Sequence, residues 1–257
     1  MDLGLKGKAV LVTGGSKGIG LACARAFAAE GARVMIVSRS QANLDRAAAG
    51  LASVATLAAD LTQPEEAQRM AREAQDRLGP VDVLVNSAGA ARRYAPDELD
   101  AQAWHAAMDA KYFTYIHAMD AVLPSMRARR QGNVVNIIGT GGKIATPIHL
   151  PGGAANAALM LATVGLASVY GKHGVRINAI NPAATMTERI REALDLEAKA
   201  RGTSADKVLE EGQARVPLGR YADPQDVANV TLFLASGMAA YVTGAILPMD
   251  GGANPVI

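Results

Sequence analysis

The sequence contains a single cysteine, Cys23, so no disulfide can form within the chain. A protein without disulfides suits a reducing compartment, and we predict a cytoplasmic location. Charged residues at Asp2, Lys6 and Lys8 lie where a secretory signal peptide would need its apolar segment. Export by that route is therefore not expected.

The sequence also lacks a large excess of charge of either sign: it has 26 basic and 24 acidic residues, and the net charge is only +2. No basic block is long enough to follow a nucleic-acid backbone, so we expect no nucleic-acid partner. The densest basic cluster is Arg127, Arg129 and Arg130, at the end of a predicted helix, where positive charge complements the helix dipole. We assign this cluster no function.

Asp, Glu, Lys and Arg are absent from residues 144–170, a stretch long enough to cross a membrane. The stretch is rich in glycine and alanine, however, which favours a helix that packs closely on neighbours on every side. We therefore expect no membrane association and interpret residues 153–170 as a buried helix at a subunit interface.

A glycine-rich turn at residues 13–20 follows the apolar run at residues 9–12 and precedes a helical pattern. The spacing Gly-x-x-x-Gly-x-Gly allows a sharp turn and lets a pyrophosphate approach the N-terminus of the first helix, where backbone N–H groups and the dipole favour negative charge. A tight loop without a ligand is the alternative. The predicted contacts are Gly14, Gly15, Ser16, Lys17, Gly18, Ile19 and Gly20.

Six further strand-like runs follow, with helical patterns between nearly all of them. They lie at residues 33–37, 54–58, 81–86, 133–138, 175–180 and 245–249. This alternation predicts an α/β fold, a Rossmann-type doubly wound parallel sheet of about seven strands with helices on both faces. A chain of 257 residues with 50% hydrophobic content suits a single domain, residues 1–257.

Helical patterns cover residues 62–78, 104–130 and 224–236, and the first of them matches a capping box at Thr62 and Glu65. Residues 183–220 lack strand signals and are mostly helical and polar. They sit between two core strands, as a lid over a substrate would, and a solvated excursion without that role is the alternative.

Several short motifs follow the strands. They are Asp60-Leu61, Asn86-Ser87-Ala88-Gly89, Asn178-Ala179-Ile180-Asn181-Pro182 with Thr187, Asp223-Pro224, Thr243-Gly244 and Asp250-Gly251-Gly252. Together with the turn Thr-Gly-x-x-x-Gly-x-Gly, these motifs resemble those of the short-chain dehydrogenase/reductase family over nearly the whole chain.

The resemblance implies a nicotinamide dinucleotide cofactor and assigns further contacts to it. These are Asp60 and Leu61 at the adenine, Asn86, Ala88 and Gly89 in the turn after the fourth strand, and Pro182 and Thr187 at the nicotinamide carboxamide. It also implies a homodimer or homotetramer formed through the long helix and the helix after the fifth strand.

The end of the second strand bears on the choice of coenzyme. An acidic residue there would bind a ribose 2′-hydroxyl, whereas a basic residue suits a 2′-phosphate. Here Ser38 and Arg39 occupy the end of the strand, and Lys17 adds a second positive charge. We predict NADP(H) in preference to NAD(H), with a solvated Arg39 as the alternative.

The family's chemistry uses a serine, a tyrosine about thirteen residues later, a lysine four beyond the tyrosine and an asparagine on the preceding long helix. Alignment through residues 132–137 places Gly139, Gly152 and Asn156 at the first three positions, and counting from Trp104 places Lys111 at the asparagine. All four differ from the family's residues, so we expect weak ordinary ketone chemistry and non-standard catalytic residues. An iminium ion or a conjugated alkene would need less help in accepting hydride.

Lys111 is the first candidate catalytic residue, because a lysine in a desolvated cleft can donate a proton or stabilise an oxyanion. His149 is the second, since it titrates in a suitable range near the expected substrate. Arg92 and Arg93 could bind a carboxylate or phosphate of the substrate. Surface or structural roles are the alternatives for all four residues.

The leading hypothesis is an NADP(H)-dependent oxidoreductase acting on a C=O, C=N or C=C group of a small organic substrate. Because the two arginines could bind an anionic group, the substrate could be anionic. No metal site is predicted. The alternatives are a catalytically silent nucleotide-binding subunit and a non-redox lyase. A bulky side chain above the nicotinamide would favour the silent subunit, whereas an open pocket faced by Lys111 or His149 would favour the oxidoreductase.

Overall fold

The computed structural model describes residues 2–51, 54–89, 92–94 and 96–254. In this part of the chain seven parallel strands form one sheet in the order β3-β2-β1-β4-β5-β6-β7. The strands are β1 (Ala9–Thr13), β2 (Arg33–Ser38), β3 (Ala55–Ala58), β4 (Val83–Asn86), β5 (Gly132–Ile137), β6 (Val175–Pro182) and β7 (Ile246–Met249). Every predicted strand overlaps an observed one, and the expectation of a single Rossmann-type α/β domain is confirmed.

Helices cover both faces of the sheet. They are α1 (Gly18–Ala29), α2 (Gln41–Ala48), α3 (Pro64–Leu78), α4 (Ala101–Ala107), α5 (Thr114–Arg129), α6 (Leu150–Gly171), α7 (Glu188–Arg201), α8 (Ala205–Gln213) and α9 (Pro224–Ala235). Alternate strand residues face opposite layers, so Leu11 packs in the layer that contains α3, α5 and α6, and Val12 in the layer that contains α1, α2 and α9.

The strand order reverses between β1 and β4. Thr13 at the end of β1 is paired with Val37 of β2 on one side and with Asn86 of β4 on the other. After β1 the chain continues to β2 on one side of the sheet, whereas after β4 it continues to β5 on the other side. This topological switch point opens a crevice at the carboxyl ends of the strands.

The capping box predicted at Thr62 is wrong. Helix α3 begins at Pro64, its N-cap residue is Gln63, and no side chain caps it. The Thr62 hydroxyl donates instead to the Asp60 carboxylate at 2.9 Å, and the Thr62 amide donates to the same oxygen at 3.1 Å. Thr62 therefore lies one residue before the N-cap position, where its hydroxyl does not accept from the first-turn amides and bonds to Asp60 instead.

The long helix predicted at residues 104–130 is interrupted. Helix α4 passes into a π-helical turn, Met108–Phe113, before α5 begins at Thr114. One extra residue per turn re-aims the side chains that follow, and such turns recur at functional sites. Lys111 lies inside this turn.

Within the single chain, helix α6 is covered on one side only, and its predicted place at a subunit interface stays a prediction. One face contacts the sheet through buried residues such as Leu159, while Leu161, Val164 and Val169 are exposed, Leu161 to 77%. Its small residues allow close packing on one side, and 22 residues of helix present more surface than one sheet can cover. The segment Pro147–Gly171 is long and apolar enough to cross a membrane, but within this fold it is a helix of the sheet's outer layer.

Residues 183–220 contain α7 and α8, and an isolated parallel bridge between Thr185 and Ala222 joins the two ends of this excursion. The first residues of the excursion line the crevice at the end of the sheet.

Candidate active site

A cleft of about 920 Å³ occupies the crevice at the carboxyl ends of the strands. Most of the predicted coenzyme contacts line it: Gly14, Lys17, Gly18, Ile19, Ser38, Arg39, Asp60, Leu61, Ala88, Gly89, Pro182 and Thr187. The other four predicted contacts, Gly15, Ser16, Gly20 and Asn86, are buried and do not form its wall. The cleft therefore brings these contacts from five separate segments of the chain to one surface.

The glycine turn forms the floor of the cleft beside α1. Gly14 has a φ of +66°, and a Cβ there would lie 2.5 Å from the carbonyl oxygen of Ser87. No other residue type fits this close approach without moving the loop after β4. The side chain of the N-cap residue, Lys17, makes no capping bond in the described part of the chain, so the amides of the first turn of α1 suit an anionic ligand.

Buried polar side chains support the floor of the cleft from below. The Thr13 hydroxyl donates to the Asn86 side chain at 3.3 Å, Asn86 donates to Asn136 at 3.0 Å, and Asn136 donates to Thr163 at 3.0 Å. This chain joins β1, β4, β5 and α6. Asn86 therefore has a structural role in the observed geometry, and buried amides of this kind must be paired to avoid a desolvation cost.

The coenzyme-selecting end of β2 lies at one side of the cleft. Ser38 accepts a hydrogen bond from Ser16 at 3.0 Å, and the exposed Arg39 follows it on the cleft wall. The Lys17 ammonium lies 2.9 Å from Glu188, so its charge is paired with the start of α7. Arg39 is thus placed to supply the positive charge that a 2′-phosphate would need.

Three of the four positions aligned with the family's catalytic residues line the cleft, namely Lys111, Gly139 and Asn156. Gly152 is buried in the first turn of α6. Gly139 has a φ of +132°, which strongly favours glycine, and a Cβ there would lie 3.3 Å from the Asn156 amide nitrogen. The aligned positions therefore lie close together at the end of the cleft near the start of α6.

Lys111 is the most perturbed cation of the cleft. Its side chain is 8% exposed, and its ammonium donates to the Tyr115 hydroxyl at 2.7 Å and to the Ile137 carbonyl at 3.1 Å. The Tyr115 hydroxyl in turn donates to the same carbonyl. Burial, with a smaller effect of the Arg189 charge, lowers the pKa of Lys111 to about 7.

His149 lies at the end of a short turn before α6 and is half-buried. Its ring is close to Gly141, where a Cβ would lie 3.5 Å from its Cδ2 atom. Within the described part of the chain its Nδ1 atom is buried and makes no hydrogen bond. Burial, followed by the charges of Arg93, Arg189 and Lys111, lowers the pKa of His149, so the ring is neutral at pH 7.

The two arginines predicted to bind substrate separate in the structure. Arg93 lines the cleft, whereas Arg92 is exposed outside it, with its guanidinium 5.2 Å from the centre of the Tyr94 ring. Arg189, the second residue of α7, also lines the cleft. Burial and the charge of Arg93 lower the pKa of Arg189.

A second cavity of about 850 Å³ lies at the opposite ends of the strands, near Gly132 and Val175. None of the predicted functional residues lines it. Among the described residues no group of three or more His, Cys, Asp or Glu side chains is placed to hold a metal ion. The cleft at the carboxyl ends is therefore the candidate active site.

Similarity to known proteins identifies the family of the chain. Residues 14–254 match the family described as Enoyl-(Acyl carrier protein) reductase. Galactitol 2-dehydrogenase (L-tagatose-forming) of Cereibacter sphaeroides is 38% identical over 255 residues, which cover 96% of this chain and 95% of the relative. The chain belongs to the short-chain dehydrogenase/reductase family. L-xylulose reductase of Mesocricetus auratus is another relative, 35% identical over 253 residues and 98% of each chain.

The solved structures extend the match to three dimensions. L-sorbose reductase of Gluconobacter frateurii, complexed with NADPH and L-sorbose, superposes on this short-chain dehydrogenase/reductase with a TM-score of 0.95. The match covers all of both chains at 29% sequence identity. The expected family, fold and general class of oxidoreductase are thereby confirmed.

Sequence reasoning missed two residues of this short-chain dehydrogenase/reductase site. Tyr115 is four residues beyond Lys111, a spacing that puts two side chains on one face of a helix and could have signalled the pair. Arg189 follows Thr187 by two residues, but nothing in that spacing indicates that it reaches the same cleft as Arg93.

Proposed function

We propose that this protein is an NADP(H)-dependent oxidoreductase of a small organic substrate in which Lys111 handles the proton. The observation that carries the proposal is Lys111 itself, a lysine with a pKa of about 7 in the wall of the cleft that the glycine turn opens onto. A proton donor works best when its pKa lies near the working pH.

The chain's own residues fit a phosphorylated dinucleotide. The close contact of Gly14 with Ser87 leaves a cradle that a Cβ would fill, α1 presents free amides to it, and Arg39 lies on the wall at the end of β2. The sorbose reductase with its NADPH supports the choice of NADP(H) over NAD(H). When bound, the coenzyme supplies or accepts the hydride.

Lys111 would protonate the substrate atom that gains electron density in reduction, and would accept that proton in oxidation. Its ammonium has three N–H groups, of which Tyr115 and Ile137 accept two. Among the described residues no third acceptor is recorded, and we propose that the remaining N–H group bonds the substrate. We propose that this arrangement does the work of the family's tyrosine, and that Gly139, Gly152 and Asn156 are replacements for its serine, tyrosine and lysine.

The alternative of a catalytically silent subunit predicts a bulky side chain over the nicotinamide site. Lys111, Gly139 and Asn156 instead line a continuous cleft with the predicted coenzyme contacts, which favours turnover. His149, with its lowered pKa, is better suited to a neutral contact with the substrate than to donating a proton near pH 7. The relatives named for galactitol and xylulose support a small polar substrate.

Two further features belong to the proposal. Residues 183–220 would act as a lid, because the salt bridge between Glu188 and Lys17 ties the start of α7 to the glycine turn. A second copy of the chain would cover the exposed apolar face of α6, giving a homodimer or homotetramer. Cytoplasmic location stays a prediction.

The test begins with NADPH binding, measured by fluorescence titration, and continues with a screen of ketones, imines and enones for loss of nicotinamide absorbance. Lys111→Met should then lower the rate on a carbonyl substrate by about 10²- to 10⁴-fold. Lys143→Met, on an exposed lysine outside the cleft, is the matched control and should leave the rate unchanged. Unchanged turnover in Lys111→Met would remove its proposed role, and absence of coenzyme binding would overturn the proposed function.

A further inference from the structure

The buried asparagines in the described part of the chain differ in their hydrogen bonding. Amides of this kind are normally paired, because an unpaired buried polar group costs free energy. Four of the five donate or accept a side-chain hydrogen bond: Asn86, Asn136, Asn178 and Asn181. The fifth, Asn156, is 6% exposed, and its amide makes no hydrogen bond to any described residue. Its donor and acceptor groups therefore remain open to a ligand.

The Asn156 amide faces the cleft. Asn156 lies in the second turn of α6 and lines the cleft wall. A Cβ at Gly139 would lie 3.3 Å from its Nδ2 atom, and a Cβ at Gly141 would lie 3.6 Å from the same atom. Glycine at both positions therefore leaves the amide uncovered, since a side chain at either one would contact it.

The main chain around this amide is closely packed. A Cβ at Gly153 would lie 2.7 Å from the carbonyl oxygen of Gly141, and one at Gly142 would lie 2.7 Å from the backbone nitrogen of Ala157. The connection from β5 to α6 thus rests on the start of α6, backbone against backbone. This contact fixes Asn156 relative to the connection, as a binding group requires.

Asn156 lies close to the proposed proton donor and to the expected nicotinamide site. The Lys111 ammonium donates to the carbonyl of Ile137 at 3.1 Å, and Ile137 precedes Gly139 by two residues. Helix α6 also packs against the π-helical turn that carries Lys111. A Cβ at Gly139 would lie 3.8 Å from the carbonyl oxygen of Pro182, a predicted contact of the nicotinamide. A substrate held between Lys111 and the nicotinamide is therefore a neighbour of the Asn156 amide.

His149 lies beside the same amide. A Cβ at Gly141 would lie 3.5 Å from the Cδ2 atom of the His149 ring, so the ring and the Asn156 amide lie next to one point of the cleft. The ring is neutral at pH 7 and the amide carries no charge. Together they suit a neutral group that can donate and accept hydrogen bonds.

We infer that the Asn156 amide binds a neutral hydroxyl group of the substrate near the carbon that exchanges hydride, and that the cleft therefore selects hydroxy ketones and the corresponding diols. The inference rests on the proposed function and names its substrate class. A hydroxyl group can both donate to an amide and accept from it, whereas a methyl group in its place would leave the buried amide unpaired. Sites of this kind reject analogues that lack the polar group.

The test uses ketones that differ only in the replacement of a hydroxyl by a methyl group: hydroxyacetone against 2-butanone, and 4-hydroxy-2-butanone against 2-pentanone. The two pairs place the hydroxyl on the first and on the second carbon beyond the carbonyl. Binding to the NADP⁺-saturated protein is measured by calorimetry, and turnover by NADPH absorbance. At least one hydroxy ketone should bind on the order of tenfold or more tightly than its partner, as expected when a buried amide gains its hydrogen bond.

Asn156→Leu replaces the amide with an apolar side chain of similar shape. It should remove the preference for the hydroxy ketone and leave NADPH affinity unchanged. Asn156→Asp keeps an acceptor for the hydroxyl and loses the N–H donors, so it should retain part of the preference. Asn229→Leu, on an exposed asparagine of α9 outside the cleft, is the matched control and should retain all of it.

Thermal unfolding separates ligand binding from a structural role. Because the Asn156 amide has no partner in the part of the chain that the structure describes, Asn156→Leu should keep the melting temperature or raise it. Asn178 is also buried, but its side chain bonds to Val242 at 2.9 Å and to Ala245 at 3.0 Å. Asn178→Leu should therefore lower the melting temperature. An equal loss of stability in both variants would make Asn156 structural and the inference wrong.

Three results with the probes would also overturn the inference. They are equal binding of the hydroxy ketones and their partners, no binding of either hydroxy ketone, and an Asn156→Leu protein that loses NADPH affinity but keeps the preference. Oxidation of NADPH by 2-butanone and 2-pentanone alone would do the same and leave the proposed function standing. A preference that depends on Asn156, without any NADPH oxidation, would instead support the amide site and contradict the proposed function.

Discussion

The Lys111 ammonium and the Tyr115 hydroxyl are 2.7 Å apart, one helical turn from each other, and both bond to the carbonyl of Ile137 at the end of β5. The pair fixes the lysine against the sheet. Tyr115 is fully buried and cannot reach a substrate, so we expect it to act by positioning Lys111.

The rate of carbonyl reduction should fall as pH rises through about 7, because Lys111 then loses the proton that it donates. The reverse oxidation should rise over the same range. Tyr115→Phe removes an acceptor that stabilises the ammonium and should move both midpoints to lower pH. Arg189 and His149 face the same group, so Arg189→Gln should move the midpoints upward. Profiles of kcat/KM against pH measure these shifts, and identical midpoints in all three proteins would exclude Lys111 as the titrating group.

Lys111 should also make stability depend on pH. Its pKa is about 7 in the folded state against 10.5 in the unfolded chain, so the unfolded state binds more protons between these values. Stability from this group therefore rises with pH across that window, by at most about 5 kcal/mol. The free energy of unfolding of Lys111→Met should exceed that of the original protein most below pH 7, and this difference should disappear towards pH 10. Urea unfolding of both proteins at several pH values tests this, and a constant difference would contradict it.

Arg39 should decide between the two coenzymes. Arg39→Ala removes the charge placed for the 2′-phosphate and should reduce the NADPH-to-NADH affinity ratio by about tenfold or more. Arg25→Ala, on an exposed arginine of α1, is the control. Coenzyme titrations give both ratios, and an unchanged ratio in Arg39→Ala would mean that this arginine is only a solvated loop residue.

Gly14→Ala should destabilise the protein by more than about 1 kcal/mol and weaken NADPH binding, because the methyl group meets the Ser87 carbonyl in a backbone conformation that suits glycine. Gly171→Ala, with nothing within 4 Å of the added methyl group, should be neutral or slightly stabilising. Thermal unfolding with and without NADPH separates the two effects.

Leu161→Glu should disrupt self-association if the exposed face of α6 is the subunit interface. Leu161 is 77% exposed and Leu196 of α7 is 70% exposed, so Leu196→Glu is a matched control. Light scattering should show a smaller assembly for Leu161→Glu alone. The same mass for both variants would place the interface elsewhere.

Much of the fold could be predicted because buried parallel strands are continuous apolar runs, as in Val10 and Val12 of β1, and glycine marks the turn that follows. The ends of helices were harder to predict, because α3 begins at Pro64, two residues later than the predicted start at Thr62. The π-helical turn had no sequence signal at all.

The candidate site likewise contains residues that the sequence could place and residues that it could not. Residues in the glycine turn and after the strands could be placed from local order alone, because the topology brings strand ends together. Arg93 and Arg189 meet only through contacts between distant segments, such as that of Tyr94 with Ile148. Such convergence is a property of tertiary packing and leaves no pattern in the sequence.

The backbone at Gly139 limits how this cleft can be redesigned. With φ at +132°, any bulkier residue would require the main chain to leave β5 along another path, and the Asn156 amide already fills the adjacent space. An engineer wishing to install conventional alcohol oxidation could not do so by exchanging side chains singly. The connection from β5 to α6 would have to be rebuilt as one unit, with its own geometry, before a grafted hydroxyl could point at a substrate.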